Sequence, residues 1–179
     1  RAKYNALTGE EKGLVSDGKL AKLEEAEAKI KEFENAKLFD DEAAKLPAPE
    51  NVKLSDKAAI ERVRNLYNGL APEEKALVNQ EMLNKLILDE QKIADLEAAK
   101  AVDEAIEALP SADGLKLDDK AAVEEARSKY NALTPAQRSL VKKESTDKLA
   151  ALEATIADME AARAVDDEID AIDENAADK

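Results

Sequence analysis

The sequence predicts an all-α protein: tandem three-helix bundles joined by long continuous helices into an elongated rod. The first reason is a repeat. Residues 1–15 read RAKYNALTGEEKGLV, 64–78 read RNLYNGLAPEEKALV and 127–141 read RSKYNALTPAQRSLV, a period of sixty-three residues of the kind that marks arrays of small units. The second reason is composition. The 179 residues include 5 Gly, 5 Pro and 3% aromatics against 38% charged residues, the balance of long helices joined by few turns. The third is a set of apolar stripes stepping by three and four along most of the chain, the spacing of one helix face.

The period divides the chain into a partial repeat at 1–36, complete three-helix repeats at 37–99 and 100–162, and the start of a further repeat at 163–179. A unit of about sixty residues buries proportionally little surface and is marginal alone, so neighbouring units are expected to lend one another stability. Residues 1–7 match the last turns of a helix that is complete in the second copy, so the chain reads as a piece of something longer.

That complete helix covers 55–70. Ser55 and Asp118 are placed as its N-caps in the second and third copies, with Asp56 and Asp119 adding negative charge where the helix dipole favours it. Ile60, Val63, Tyr67 and Leu70 form its apolar stripe, matched by Val123, Ala126, Tyr130 and Leu133. A break follows at Thr8-Gly9, Ala71-Pro72 and Thr134-Pro135. Thr134 suits an N-cap and Pro135 the first helical position, where its missing N–H costs nothing. The short segment after the break, with Leu140 and Val141 as its buried end, reads equally as a separate helix or as a kinked continuation.

The longest element begins near Gly18, Glu81 and Ser145. Leu149, Leu152, Ile156 and Met159 give its stripe in the third copy, and Glu25/Lys29 and Glu27/Lys31 are placed as i, i+4 ion pairs in the first. No Gly or Pro interrupts the pattern before Leu109, so one helix over 81–109, about 43 Å long, is expected to join one repeat to the next. Its stripe slips by one residue in every copy: continuing by seven from Phe33, Leu96 and Met159 lands on Asp40, Asp103 and Asp166, whereas the apolar residues are Phe39, Val102 and Val165. One residue is about 100° of helix rotation, so the second half faces a different neighbour, with Ala36, Ala99 and Ala162 small enough for close approach. Pro47 and Pro110 close the helix. In the loops that follow, Val52/Leu54 and Leu115/Leu117 are positioned to plug the bundle end. From Asp173 onward the last copy diverges into a polar tail expected to fray.

The formal net charge of −14 argues against nucleic acid and anionic membranes as partners, since both call for clustered Lys and Arg. Arg138, Lys142 and Lys143 are too few to make an anion patch. No apolar run approaches membrane-spanning length. With 0 His and 0 Cys, the commonest general bases, nucleophiles and transition-metal ligands are missing. Neither catalytic, cofactor-binding nor metal residues are therefore assigned, and no cofactor is expected. Carboxylate pairs such as Asp40-Asp41, Asp118-Asp119 and Asp166-Asp167 lie at caps or on charged faces, with no cleft for them to flank. The 110–119 loop holds Asp113, Gly114, Asp118 and Asp119 but lacks the alternating ligands and terminal Glu of a calcium loop. The repeated Tyr-Asn pair is the best candidate for ligand contact. Its phase with Ile60, Val63 and Leu70 favours core packing instead, and the Arg three residues earlier is expected to pair with a Glu of the long helix.

The Y-N-A-L-T-P-x-Q-R-x-L-V segment, followed by a K-L-x-x-x-E-x-x-I-x-x-x-E-A-A-(K/R)-A-V-D pattern, resembles tandem helical repeats of large secreted or wall-anchored proteins of Gram-positive bacteria. Such repeats are akin in role to FIVAR-type three-helix modules, and their end-to-end arrangement is similar to that of spectrin-type repeats. The resemblance implies an extracellular, secreted or wall-attached setting and a non-catalytic spacer or stalk that positions an adhesive or enzymatic domain. The expected partners are neighbouring domains of the same polypeptide, and the chain itself is expected to be a monomer. Two alternatives stay open: a multivalent module for a host protein or glycan, and an accessory region of a carbohydrate-active enzyme. The latter requires Tyr67 and Tyr130 to be solvent-exposed.

Overall fold

The computed structural model describes residues 1–177, with side chains described as far as 171. Helix makes up 82% of it and no strand occurs among the described residues, which places the chain in the all-α class. The α-helices among the described residues are α1 (Ala2–Asn5), α2 (Gly9–Gly13), α3 (Asp17–Ala44), α4 (Lys57–Gly69), α5 (Pro72–Lys75), α6 (Gln80–Glu107), α7 (Lys120–Ala132), α8 (Pro135–Arg138) and α9 (Lys143–Ala177). The long helices start at Asp17, Gln80 and Lys143, one sequence period apart. Two compact units, Arg1–Lys92 and Ile93–Lys179, make up the chain, and the division falls inside α6. Each unit is a helical bundle.

In the first unit, α3 packs against α4 and α5. Its buried residues Ala36, Phe39 and Ala43 lie in the second half of α3, Ile60 and Val63 come from α4, and Leu86 from α6. Val52 from the loop is buried as well, as the apolar loop residues were expected to be. In the second unit, one core cluster joins Ala99, Val102 and Ile106 of α6, Val123 and Ala126 of α7, and Leu149, Leu152 and Ile156 of α9, with Leu115 closing one end. Each large apolar side chain buried here contributes about 1.5–3 kcal/mol relative to exposure. Of the slipped stripe, Phe39 and Val102 are buried, at 0% and 3% exposed, whereas Val165 is 55% exposed.

The short segment after the break is a separate helix. Leu70 (ψ 142°) and Ala71 (ψ 160°) are extended, so α5 is cut off from α4 by two non-helical residues, and α8 from α7 likewise. Thr134 caps α8 as expected: its hydroxyl accepts the Gln137 N–H at 3.2 Å while the Gln137 side chain accepts the Thr134 N–H at 3.0 Å, a reciprocal box. Thr8 and Glu11 repeat the box. Ala71 has no side-chain acceptor, and only the Glu74 half survives, its carboxylate accepting the Ala71 N–H at 2.7 Å.

Two local expectations are corrected. Ser55 and Asp118 do not cap α4 and α7, because a 3₁₀ turn (Leu54–Asp56, Leu117–Asp119) intervenes and delays each helix to Lys57 and Lys120. The Asp56 and Asp119 carboxylates instead fold back to accept the N–H groups of Lys53 (2.8 Å) and Lys116 (2.9 Å). Glu27, expected to pair with Lys31, accepts both arms of the Arg1 guanidinium, at 2.7 and 2.5 Å, a planar two-point match that a lysine cannot offer. Glu25 and Lys29 do pair, at 2.7 Å. The backbone of α9 is helical to Ala177; the side chains of the tail expected to fray lie outside the described residues.

Candidate functional site

The repeated Arg-x-x-Tyr-Asn sequence is the natural place to look for a ligand, and it lies at the C-terminal ends of α4 and α7. Tyr67 and Tyr130 are half-buried, while Asn68 and Asn131 are exposed. Tyr67 meets the Phe39 ring at 5.3 Å between centroids with the planes tilted by 55°, a favourable aromatic geometry. Two cations lie against each tyrosine ring. For Tyr67 they are Arg64 at 5.4 Å and Lys75 at 5.5 Å; for Tyr130, Arg127 at 5.4 Å and Arg138 at 5.7 Å. Tyr4 has Arg1 at 5.6 Å and Lys12 at 5.8 Å. The ring quadrupole attracts such cations.

Both cations have second tasks. Arg64 is bidentate to Glu90 at 2.6 Å on each arm, and Arg127 to Glu153 at 2.6 Å on each arm, so the expected pairing with the long helix is present in every copy. The hydrogen bond to the carboxylate holds each guanidinium pKa above its ordinary value, with burial opposing it. Lys75 donates to the Asn68 carbonyl at 3.2 Å and Arg138 to the Asn131 carbonyl at 2.6 Å, which satisfies backbone acceptors orphaned at the ends of α4 and α7. The motif is therefore a clasp of helix end, long helix and short helix, with the tyrosine as its centre.

Beside it in the first unit lies an open groove of about 290 Å³ between α3 and the end of α4, reaching Asn35, Phe39, Leu66 and Glu74. Asn35 donates to Glu74 across it at 2.6 Å, and that bond, with the Ala71 N–H second, depresses the Glu74 pKa. A lone depressed carboxylate against an amide is a capping arrangement and has no paired acid or base.

The chain matches no family model, no curated protein and no solved structure.

The loop acids Asp113 and Asp118 are exposed, and Asp119 is engaged with the Lys116 N–H. Among the described residues no three acidic side chains converge as a metal site would require. Asp40 and Asp103, which break the heptad in the sequence, act as caps at a distance. Asp40 accepts the Asn79 N–H at 2.9 Å and Asp103 the Lys142 N–H at 3.1 Å, each just before the start of a long helix.

Three further groups escaped the sequence reading. Lys85 donates to the Ala43 and Leu46 carbonyls at 3.2 and 2.9 Å, and Lys148 to those of Glu107 and Leu109 at 3.1 and 2.6 Å, each ammonium covering the end of a preceding long helix. The second cation on each tyrosine, at Lys12, Lys75 and Arg138, was legible as a column of basic residues. Asp89, 0% exposed, receives Lys85 at 3.3 Å through Oδ2 and leaves Oδ1 without a partner; burial pushes its pKa up. Its counterparts one period away are Ala26 and Leu152, so the column shows it as the odd member of an apolar position.

Proposed function

We propose that this segment is a non-catalytic spacer: three-helix bundles at 37–99 and 100–162, flanked by the partial repeats 1–36 and 163–179, linked by continuous long helices into a rod. The observation that carries the reading is the fate of the repeated motif. In each copy the arginine is spent on a glutamate of the long helix and the tyrosine on flanking cations, so the strongest repeated signal in the sequence is accounted for by holding helices together. A glycan-stacking platform needs an open aromatic face, and the covered rings disfavour that alternative. By its resemblance to repeats of Gram-positive surface proteins, the spacer would set the distance between a functional domain and a cell wall.

Small-angle scattering of the dilute protein tests it. A compact chain of this length has a radius of gyration of about 16 Å; the spacer reading expects a clearly larger value and a long, thin distance distribution. A compact particle sinks it. Ala99→Pro gives a second check, since Pro inside α6 breaks the ladder at a cost of ~3 kcal/mol or more. Coupled bundles expect a lower unfolding cooperativity in that variant, and one unchanged thermal transition counts against the shared helix.

A further inference from the structure

The second long helix carries an outward stripe that neither of its counterparts has. Gln80, Asn84, Ile87, Leu88 and Gln91 on α6 are all exposed, Ile87 at 48% and Leu88 at 56%, while Leu86 and Asp89 on the opposite side are buried. These five positions share one helix face, and all lie in the first unit. The helix already holds α3 through Lys85 and α4 through Glu90, so the stripe is the face left over once its own packing is made. One period earlier the same positions are Asp17, Ala21, Glu24, Glu25 and Ala28; one period later they are Lys143, Asp147, Ala150, Ala151 and Ala154. Outward helix faces are ordinarily charged. Here, in a chain with 38% charged residues, the stripe is uncharged and has two large aliphatic side chains at its centre.

We infer that this stripe is the contact of a two-fold dimer, in which α6 of one molecule packs antiparallel on α6 of a second copy of this chain. With the axis between residues 87 and 88, Ile87 of each molecule meets Leu88 of the other. Asn84 then meets Gln91, and each of these amides can both donate and accept. The bordering charges select the direction. Glu81 and Lys92 flank the stripe on the same side, beside Leu88, and lie on either side of the axis at distances that differ by two residues. Antiparallel packing therefore brings each Glu81 to within about 3 Å, measured along the helix, of Lys92 in the other molecule, giving two reciprocal ion pairs. A parallel pairing would set Glu81 against Glu81 and Lys92 against Lys92, which repulsion opposes. Glu90, on the other flank, is already held by Arg64. Such a contact is isologous and closes on itself, so assembly stops at two. The face is smaller than the roughly 1,200 Å² of standard interfaces, so a dissociation constant on the order of 100 μM is expected.

This goes beyond the spacer reading, and its test is separate. Sedimentation equilibrium of the whole chain is run from micromolar to millimolar concentration, with the folding of each variant checked by circular dichroism. The wild type is expected to pass from monomer to dimer and no further. Ile87→Ala combined with Leu88→Ala installs the residues that the third repeat already exposes there, Ala150 and Ala151, and is expected to weaken association at least tenfold. Glu81→Lys and Lys92→Glu are each expected to weaken it several-fold, and the two in one chain to recover most of the wild-type affinity. A wild type that stays monomeric at millimolar concentration overturns the inference, as do species larger than a dimer. Undiminished association of the alanine variant, or no recovery in the doubly charge-reversed one, overturns it equally. Monomeric protein with an extended scattering profile would sink this contact and leave the spacer reading standing.

Discussion

The Asp103 carboxylate accepts the backbone N–H of Lys142 at 3.1 Å across 39 residues of sequence, so the residue that interrupts the apolar stripe of one long helix supports the start of the next. Asp40 and Asn79 repeat the relationship at 2.9 Å. Side-chain acceptors at helix starts are worth about 1 kcal/mol. Asp103→Ala is expected to lower stability by about that amount, with Asp103→Asn recovering part of it. Urea unfolding of the three proteins checks this, and an unchanged midpoint in the Ala variant would assign the bond no weight.

Arg64 and Glu90 meet through two bonds of 2.6 Å with roughly a quarter to a third of each side chain exposed (26% and 33%). Partial exposure screens the pair, so a double-mutant cycle is expected to return a coupling of roughly 0.2–1 kcal/mol, shrinking with added salt. Arg64→Lys is expected to behave much like the alanine variant, because an ammonium cannot make the two-point contact. Full retention of the coupling in the lysine variant would refute the bidentate account.

Asp89 is a buried carboxylate with one satisfied oxygen, at a position where the third copy has Leu152. There Lys148 makes its two carbonyl bonds with no acid four residues on, so the second unit already contains the arrangement that Asp89→Leu would create in the first. The substitution is expected to raise stability by about 1–3 kcal/mol, read by chemical denaturation. A loss of stability would mean that the Lys85 contact outweighs the orphaned oxygen.

The same residue sets a pH dependence of unusual sign. Burial raises the Asp89 pKa above the ordinary 3.8, so the folded state binds its proton more readily than the unfolded one. Its destabilising effect is therefore full at neutral pH and relieved as pH falls through the folded value towards 3.8. Lys85, Asp56 and Glu50 are the charged groups acting on it. Glu74 and Glu107 run the other way: hydrogen bonds from Asn35 and Lys142 hold their pKa values below the ordinary 4.5, so the stability they lend is present above 4.5 and lost as pH falls through the depressed values. The advantage of Asp89→Leu over wild type is expected to shrink on acidification, and an advantage independent of pH would contradict the assignment.

Gly69 ends α4 where the first and third copies have Ala6 and Ala132. Every described residue keeps a negative φ, and a methyl group at Gly69 would meet nothing within 4 Å. Gly69→Ala is expected to stabilise by about 0.5–1 kcal/mol by restricting the unfolded chain. A thermal melt decides it, with a lower midpoint as the contrary result.

The all-α class was readable because the stripes of Ile60, Val63 and their counterparts state helix and buried face together. What escaped were interactions whose partners lie far apart in sequence. Asp40 and Asp103 look like interruptions of a heptad because helical phase is local, whereas the N–H each one meets is 39 residues away. Ser55 has the chemistry of a cap and lost the role because Leu54, partly buried, draws the chain into a tight turn first. Tyr67 and Tyr130 follow the core-packing expectation in part: Tyr67 meets the buried Phe39 ring and Tyr130 packs against the core cluster, while each stays half-buried under its cations.

Arg to Glu is 26 residues in each copy and Asp to helix start is 39 in both copies where it forms. Both spans are shorter than one period. A gene encoding this chain could therefore gain or lose whole periods by unequal recombination at any point within the repeat, and each junction would restore donor and acceptor at their proper separation. Breaks that left a fractional period would strand an arginine or an aspartate without its mate, so selection on folding alone would keep the array in integral steps while leaving its overall length free to drift.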